Sequence, residues 1–314
     1  MNKHLTRERL IDIDRAKGLA IFLVVVGHIV ATDMPLDNDW YAILKKLIYK
    51  FHMPFFMYLS GIVFAYTYSN PKNVKKYLIY VFKKTNKLIV GYFLFGFIIF
   101  FGKIFFSRYM HVDNLHPELS EDAYKLLLIP SQSAAGSLWF IYVLMEMYVV
   151  FPILLMLRFK AIYLVLIGVA LHFIHMPPIF MLDRLFEYFL FFSLGISVIR
   201  YHKNYINFID KYFLPIFIIF LLSFFIIQYS SDSISKLIIG TISLPALHGL
   251  MRKRIFSILN IWDIYGKYTY SIYLMNTIAI GLIKGVILLF ISWNGIYFLF
   301  IAPLLLFSGL YIPI

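Results

Sequence analysis

No cysteine occurs among the 314 residues. Disulfide frameworks and thiol catalysis are therefore excluded. Charge is scarce as well: Asp, Glu, Lys and Arg together make up 14%, where a soluble domain carries about a quarter. Negative charge is the scarcer sign, with 16 acidic residues against 29 Lys and Arg. There is no long polar block, which rules out one membrane anchor on a large soluble domain. No internal repeat is evident. No small-residue cleavage site follows the first apolar run, so MNKHLTRERLIDIDRAKGLAIFLVVVGHIVA reads as an uncleaved spanning helix and not as a signal peptide.

What is present is apolar. Hydrophobic residues make up 61% of the chain, with 33 Phe, 24 Tyr and 4 Trp, and the mean hydropathy is +0.81. Such a composition excludes a soluble globular chain and a disordered one. The apolar runs are continuous and longer than the roughly ten-residue alternating strands of an outer-membrane barrel. The expected fold is all-α: a polytopic membrane protein of about ten transmembrane helices, forming one domain over 1–314. At about 20 apolar residues per span, the spans fall at 13–32, 51–68, 88–106, 137–157, 161–176, 185–200, 212–229, 234–250, 268–290 and 294–312.

The net charge of +13 would suggest a nucleic-acid partner in a soluble protein. Here it sorts by side. With the N-terminus inside, twenty Lys and Arg fall in inside segments and seven in outside ones. That is the positive-inside pattern of ten spans with both termini in the cytoplasm. The expected partners are then membrane lipids, with no nucleic acid. Two outside segments stand out. Residues 33–50 lead into DWYAILKKLIYKF at 39–51, which reads as an interfacial helix anchored by Trp40 and Tyr41. Residues 107–136 form the longest loop and end in SQSAAG; long loops in compact proteins are often functional.

Ionisable groups inside a bilayer are costly and usually functional. The first helix opens with Asp12, Asp14, Arg15 and Lys17 and later carries His28. Lys17 and His28 are offset by about 20° around the helix and about 16 Å along it, and Asp14 lies within about 40° of the same stripe. A neutral imidazole at His28 can act as general base toward a hydroxyl, or it can be a packing histidine. Asp14, Arg15 and Lys17 also fit an ordinary solvated helix start. In the second helix His52 and Ser60 could line one cleft, although Ser60-Gly61 also suits a close-packing pair. Glu146 is mid-span and needs a partner or a proton; His28, His52 and Lys103 are the candidate partners. Trp139 reads as a belt residue or a binding residue, and Asn276 as the donor or acceptor of an interhelix hydrogen bond. His172 and His175 have the spacing of a metal pair, but no His-Glu cluster supports them and no metal is expected.

Several of these residues lie in motifs. The stretch R-x-x-D-I-D-R-A-K-G-L-A-I-F-L-V-V-V-G-H at 9–28 and F-H-M-P-F-F-M-Y-L-S-G at 51–61 resemble the first two motifs of the acyltransferase-3 membrane family. The first is most similar to the fucose 4-O-acetylase-related branch. Lys83, Lys84 and Lys87 before Leu88-Ile89-Val90-Gly91-Tyr92 resemble the family's basic entry to the third helix, and Ser137-Leu138-Trp139-Phe140 and Tyr270-Ser271-Ile272-Tyr273-Leu274 resemble later, weaker motifs.

The resemblance implies an O-acetyltransferase of a bacterial inner membrane. Its donor would be acetyl-CoA from the cytoplasm, and its acceptor a surface polysaccharide or a lipid-linked oligosaccharide precursor. It implies His28 as the catalytic histidine; Asp14, near the same stripe, is the second residue expected to be catalytic. Arg15, Lys17, Lys83, Lys84 and Lys87 would hold the CoA phosphates, and His52, Ser60, Trp139, Glu146, Tyr273 and Asn276 would line the substrate site. Lys17 stands where many members have Arg, and so offers a point charge in place of a fork. Asn276 stands where the family often has His, and a Pro usual near Gly91 is absent. The alternative function, an exporter of glycan repeat units, would call for paired Gly/Pro-broken helices, and none is evident.

Overall fold

The computed structural model describes residues 10–314 apart from 33, 117 and 229. Lys3, Arg7 and Arg9 of the basic N-terminal segment lie outside the described residues. Every described regular element is helical. In chain order they are α1 (Ile11–His28), α2 (Asp39–Ile48), α3 (His52–Thr67), α4 (Val74–Phe106) and α5 (Leu119–Leu128). There follow α6 (Trp139–Met156), α7 (Ala161–His172), α8 (Leu182–Arg200), α9 (His202–Lys211) and α10 (Phe213–Ser223). The last five are α11 (Asp232–Met251), α12 (Arg254–Ile258), α13 (Ile261–Lys267), α14 (Thr269–Leu288) and α15 (Tyr297–Tyr311).

A helix stands in each of the ten apolar segments. By length and composition, five stretches among the described residues can cross a membrane: Asp39–Thr67, Val74–Phe106, Gly136–Met156, Asp232–Met251 and Thr269–Leu288. A sixth exists if the pair α9 and α10, bent by 78°, counts as one span. Helices α1 and α8 each carry four charged residues at or near their ends, and α7 has only 12 residues. The molecule is thus an all-α protein with several long apolar helices, consistent with a multi-pass membrane protein. Large apolar side chains such as Leu94, Phe101, Leu166, Ile219 and Phe300 are more than half exposed, as lipid-facing residues would be.

Boundaries shift for physical reasons. Helix α4 begins 14 residues before the expected 88, because Asn73 caps it, accepting the Lys76 N–H at 2.9 Å. Nothing between Val74 and Lys87 breaks a helix. Its 33 residues make about 50 Å, more than the roughly 30 Å hydrocarbon layer. Helix α1 stops at His28, short of the expected 32. Its free C-terminal carbonyls are capped from α2 and the residue that follows it: the Tyr41 hydroxyl donates to Val26 O at 2.6 Å and the Tyr49 hydroxyl to Gly27 O at 3.1 Å, while just past the helix Lys45 Nζ donates to Val30 O at 2.5 Å. Tyr41 is therefore buried, whereas Trp40 is exposed. Of the two expected interfacial anchors, only Trp40 has an anchor's exposure.

Helix α1 gives the bundle two ends. At its start, Gly18 packs against the Trp262 carbonyl and Gly266 against the Asp14 carbonyl, so α1 and α13 cross in backbone contact. Arg252 there bridges Asp12 at 2.8 Å and Asp210 at 2.7 Å. At its finish, the His28 end gathers α2, the starts of α3, α6, α8 and α11, and the far ends of α4 and α14.

Candidate active site at the His28 end

The site is built around one side-chain pair from two helices. His28 ends α1, and Asn276 is fully buried two turns into α14. His28 Nδ1 lies 2.7 Å from Asn276 Oδ1. The amide is oriented by its own helix: Nδ2 donates to Ile272 O at 2.7 Å and to Tyr273 O at 2.8 Å. The group facing His28 is therefore the carbonyl oxygen, which only accepts. Nδ1 must carry the hydrogen, and Nε2 is left as the basic nitrogen.

Two cavities border His28. The first, about 380 Å³, is lined by His28, His52, Tyr49, Trp139, Tyr188 and Tyr273 together with Lys46, Lys50, Arg184, Asp232 and Lys236. The second, about 430 Å³, lies on the other side; Tyr49, His28 and Trp139 belong to both walls. Both volumes suit a small-molecule site. In the first, His52 repeats the logic of His28: its Nδ1 faces the Ile48 carbonyl at 2.8 Å, so Nδ1 is the donor, and its ring stacks on Tyr49 at 5.0 Å. Trp139 stacks on Tyr188 at 5.4 Å and carries the Arg184 guanidinium at 5.7 Å. The cations are tied in place. Arg184 pairs with Glu187 at 2.7 Å, Lys236 bonds Glu187, and Lys50 bonds Asp232. Lys46 is exposed, with no carboxylate in ion-pair range among the described residues.

Of the site residues expected from sequence, the structure brings His28, His52, Trp139, Tyr273 and Asn276 together. Tyr273 serves partly as scaffold: its hydroxyl donates to Ser137 O at 2.6 Å and accepts the Phe140 N–H at 3.2 Å, meeting an orphan donor at the start of α6. Ser60 and Glu146 line neither cavity. The Ser60 hydroxyl donates to Phe56 O at 2.9 Å. None of His28, His52 and Lys103 pairs with Glu146, whose Oε2 is buried without a partner among the described residues. Asp14, Arg15 and Lys17 stand at the opposite end, about 16–21 Å from His28 along α1. There Arg15 pairs with Asp263 at 3.1 Å and Lys17 with Asp14 at 2.6 Å. Lys83 and Lys87 are exposed, Lys87 lying over the Tyr270 ring at 5.1 Å, while Lys84 donates to the Thr67 hydroxyl at 2.8 Å. His172 presents its ring nitrogens to the Glu187 and Ser233 carbonyls at 2.9 and 3.0 Å, an interhelix staple.

Sequence reasoning passed over Lys45, Lys50, Arg184, Tyr188 and Lys236. Their signal was there: cations at the ends of apolar runs, and Arg184 and Glu187 three apart on one helix face.

The loop after α4 closes this end. Asp113 accepts from Lys284 at 2.7 Å and from the Thr32 hydroxyl at 3.1 Å, and lies 3.1 Å from His111 Nε2. Burial alone would raise its carboxyl, but Lys284, His111 and Thr32 outweigh burial and hold it below the usual carboxylate range. Its contribution to stability is therefore complete above the ordinary value of 3.8 and is lost as pH falls through the lower folded value. Asp113→Asn is expected to cost about 3 kcal/mol at neutral pH, because it strands a buried ammonium. Thermal unfolding in detergent across pH checks this: the wild type loses stability on acidification, and the variant shows a flatter profile.

A family model described as an acyltransferase domain, Acyl_transf_3, matches residues 10–313. Two curated relatives match over a short stretch. Nodulation protein NolL of Sinorhizobium fredii (strain NBRC 101917 / NGR234) is 46% identical over 55 residues, 17% of this chain and 15% of that one. Nodulation protein NolL of Mesorhizobium japonicum (strain LMG 29417 / CECT 9101 / MAFF 303099) is 41% identical over 58 residues, 18% of this chain and 16% of that one. The match thus spans about a sixth of the length of these relatives. No solved structure matches the chain. A family match over nearly the whole chain identifies this multi-helix membrane protein as a member of the acyltransferase-3 family.

Proposed function

We propose that the protein is a multi-pass membrane O-acetyltransferase that moves an acetyl group from cytoplasmic acetyl-CoA to a hydroxyl of a surface glycan or its lipid-linked precursor. The observation that carries this reading is the His28–Asn276 pair, which leaves a basic Nε2 at the border of two cavities. In direct transfer, Nε2 takes the proton of the acceptor hydroxyl as its oxygen bonds to the acetyl carbonyl carbon. The carbon–sulfur bond to CoA then breaks, and the imidazolium returns the proton to the departing thiolate. Tyr49, Trp139 and Tyr188 give the first cavity an aromatic wall against which a sugar can pack, and the bonded cations around them orient polar groups.

The proposed topology has ten spans, with both termini in the cytoplasm of a bacterial inner membrane. The donor's phosphates then meet the α1-start end, where Lys83 and Lys87 are exposed. A phosphate there competes with Asp263 and Asp14 for Arg15 and Lys17. Ile21, fully buried, lies between Lys17 and Val24 on the same stripe. A pantetheine arm that follows this stripe must displace packed side chains to reach His28.

The test uses sealed membrane vesicles of known orientation and labelled acetyl-CoA. Label is expected in base-labile glycan esters only when the cytoplasmic face is outward; glycan translocation without label would overturn the reading in favour of an exporter. In purified protein, Asn276→Ala is expected to lower transfer about ten- to a hundredfold, less than loss of the base itself. The acceptor KM should stay unchanged, because Asn276 touches neither cavity.

A further inference from the structure

Helices α4 and α14 meet at one level and part at another. Near Gly91 they touch: the Tyr270 hydroxyl donates to Lys87 O at 2.8 Å, and a Cβ on Gly91 would overlap that hydroxyl. Eleven residues further along each helix, about 16 Å, stand Gly102 and Gly281. A Cβ on either would meet no atom within 4 Å. The helices therefore fork, and the second cavity, about 430 Å³, fills the fork. Its flank includes Ile98 and Gly281, both exposed, so the fork opens sideways toward lipid. Its inner wall is His28.

The head of the fork is cationic. Lys45, Lys103 and Lys284 line it, and among the described residues Asp113 is the one carboxylate that faces them. Lys284 is bonded to Asp113 and lies over Trp293 at 4.1 Å. Lys103 Nζ donates to Ala134 O at 2.7 Å, and Lys45 to Val30 O at 2.5 Å. Among the described residues neither has a carboxylate in ion-pair range. Lysines near the end of a spanning helix ordinarily snorkel outward to water. The Lys284 side chain is only 4% exposed and Lys103 bonds inward, so both spend their charge on the cavity. An apolar side door below a surplus of ammonium groups is the complement of a lipid phosphate: chain in the membrane, anion at the lysines.

We propose that this fork is the entrance and seat of the acceptor as a lipid-linked saccharide. Its polyprenyl chain stays beside α4 and α14, its phosphate rests on Lys45, Lys103 and Lys284, and its sugar points to His28. The proposal rests on the acyltransferase reading above and names the substrate class of that site. It is tested by binding, so that it stands or falls apart from the chemistry.

The full chain in nanodiscs is photolabelled with a farnesyl diphosphate that carries a diazirine. Cross-links are expected on the facing surfaces of α4 and α14. Unlabelled farnesyl diphosphate should compete, while excess phosphatidylglycerol and inorganic phosphate should not. Labelling is expected to fall about tenfold or more in Lys103→Gln with Lys284→Gln and to disappear in Gly281→Leu, which fills open space and keeps all three lysines. His28→Ala should label normally even where transfer is lost. Equal competition by phosphatidylglycerol would make the fork a bulk-lipid site, and competition by inorganic phosphate a free-anion site. Either result, or unchanged labelling in Gly281→Leu, overturns the proposal.

Discussion

Replacing His28 with Ala is expected to lower acetyl transfer by about 10²–10⁴-fold, the range of a general base, while the protein still inserts and folds. The fold survives because the imidazole faces two cavities. Its removal leaves only the Asn276 carbonyl oxygen without its partner, a loss of about 1 kcal/mol where water can enter the gap. His52 supplies the internal control. It too presents Nε2 toward the first cavity, since its Nδ1 is held by the Ile48 carbonyl. It borders only that cavity, however, and so does not stand where the two meet. His52→Ala should therefore weaken acceptor use without removing the base. The check is the ester content of surface glycan from cells carrying each variant, with single-turnover rates from purified protein. Transfer that survives in His28→Ala and vanishes in His52→Ala would show that the base is His52 and not His28.

Local pattern made the bundle legible. Every apolar run of the sequence contains a helix, and the 11-residue spacing that puts Lys17 and His28 on one stripe is a property of α1 alone. What pattern could not supply is pairing at long range. His28 and Asn276 are 248 residues apart, as are Arg15 and Asp263. Each pair depends on how α1 sits between α13 and α14. Helix α2 shows the same limit. Tyr41, Lys45 and Tyr49 recur every four residues, so they share a face, and the amphipathic pattern reads as an interfacial helix. That this face caps α1 depends on where Val26, Gly27 and Val30 end up. The intramembrane lysines were visible as lysines within apolar runs. Their gathering in one cavity follows from the fork between α4 and α14, which no single helix encodes.

Gly195→Val is expected to destabilise the protein by about 3 kcal/mol or more, whereas the same change at Gly102 leaves stability unaltered. On α8, a Cβ at Gly195 would overlap the Tyr58 carbonyl and crowd Ile62 N. On α3, a Cβ at Gly61 would overlap the Phe192 carbonyl. The two helices thus cross backbone to backbone through reciprocal glycines, a membrane packing mode that needs small residues. A valine forces the crossing open by about the width of a methyl group. Nothing offsets this, because the propensity difference between Gly and Val in a helix is only a few tenths of a kcal/mol. At Gly102 that small difference is the whole effect, since its side faces open space. The damage should also reach the site. His52 lies nine residues before Gly61, and Arg184 eleven before Gly195, so both ride on this crossing about 13–16 Å away. Thermal unfolding of the two valine variants in detergent checks the packing. Transfer assays on whatever Gly195→Ala protein folds check the lever: its acceptor KM should rise as His52 and Arg184 move apart. A melting temperature equal to that of Gly102→Val would show that the α3–α8 crossing is not set by its glycines.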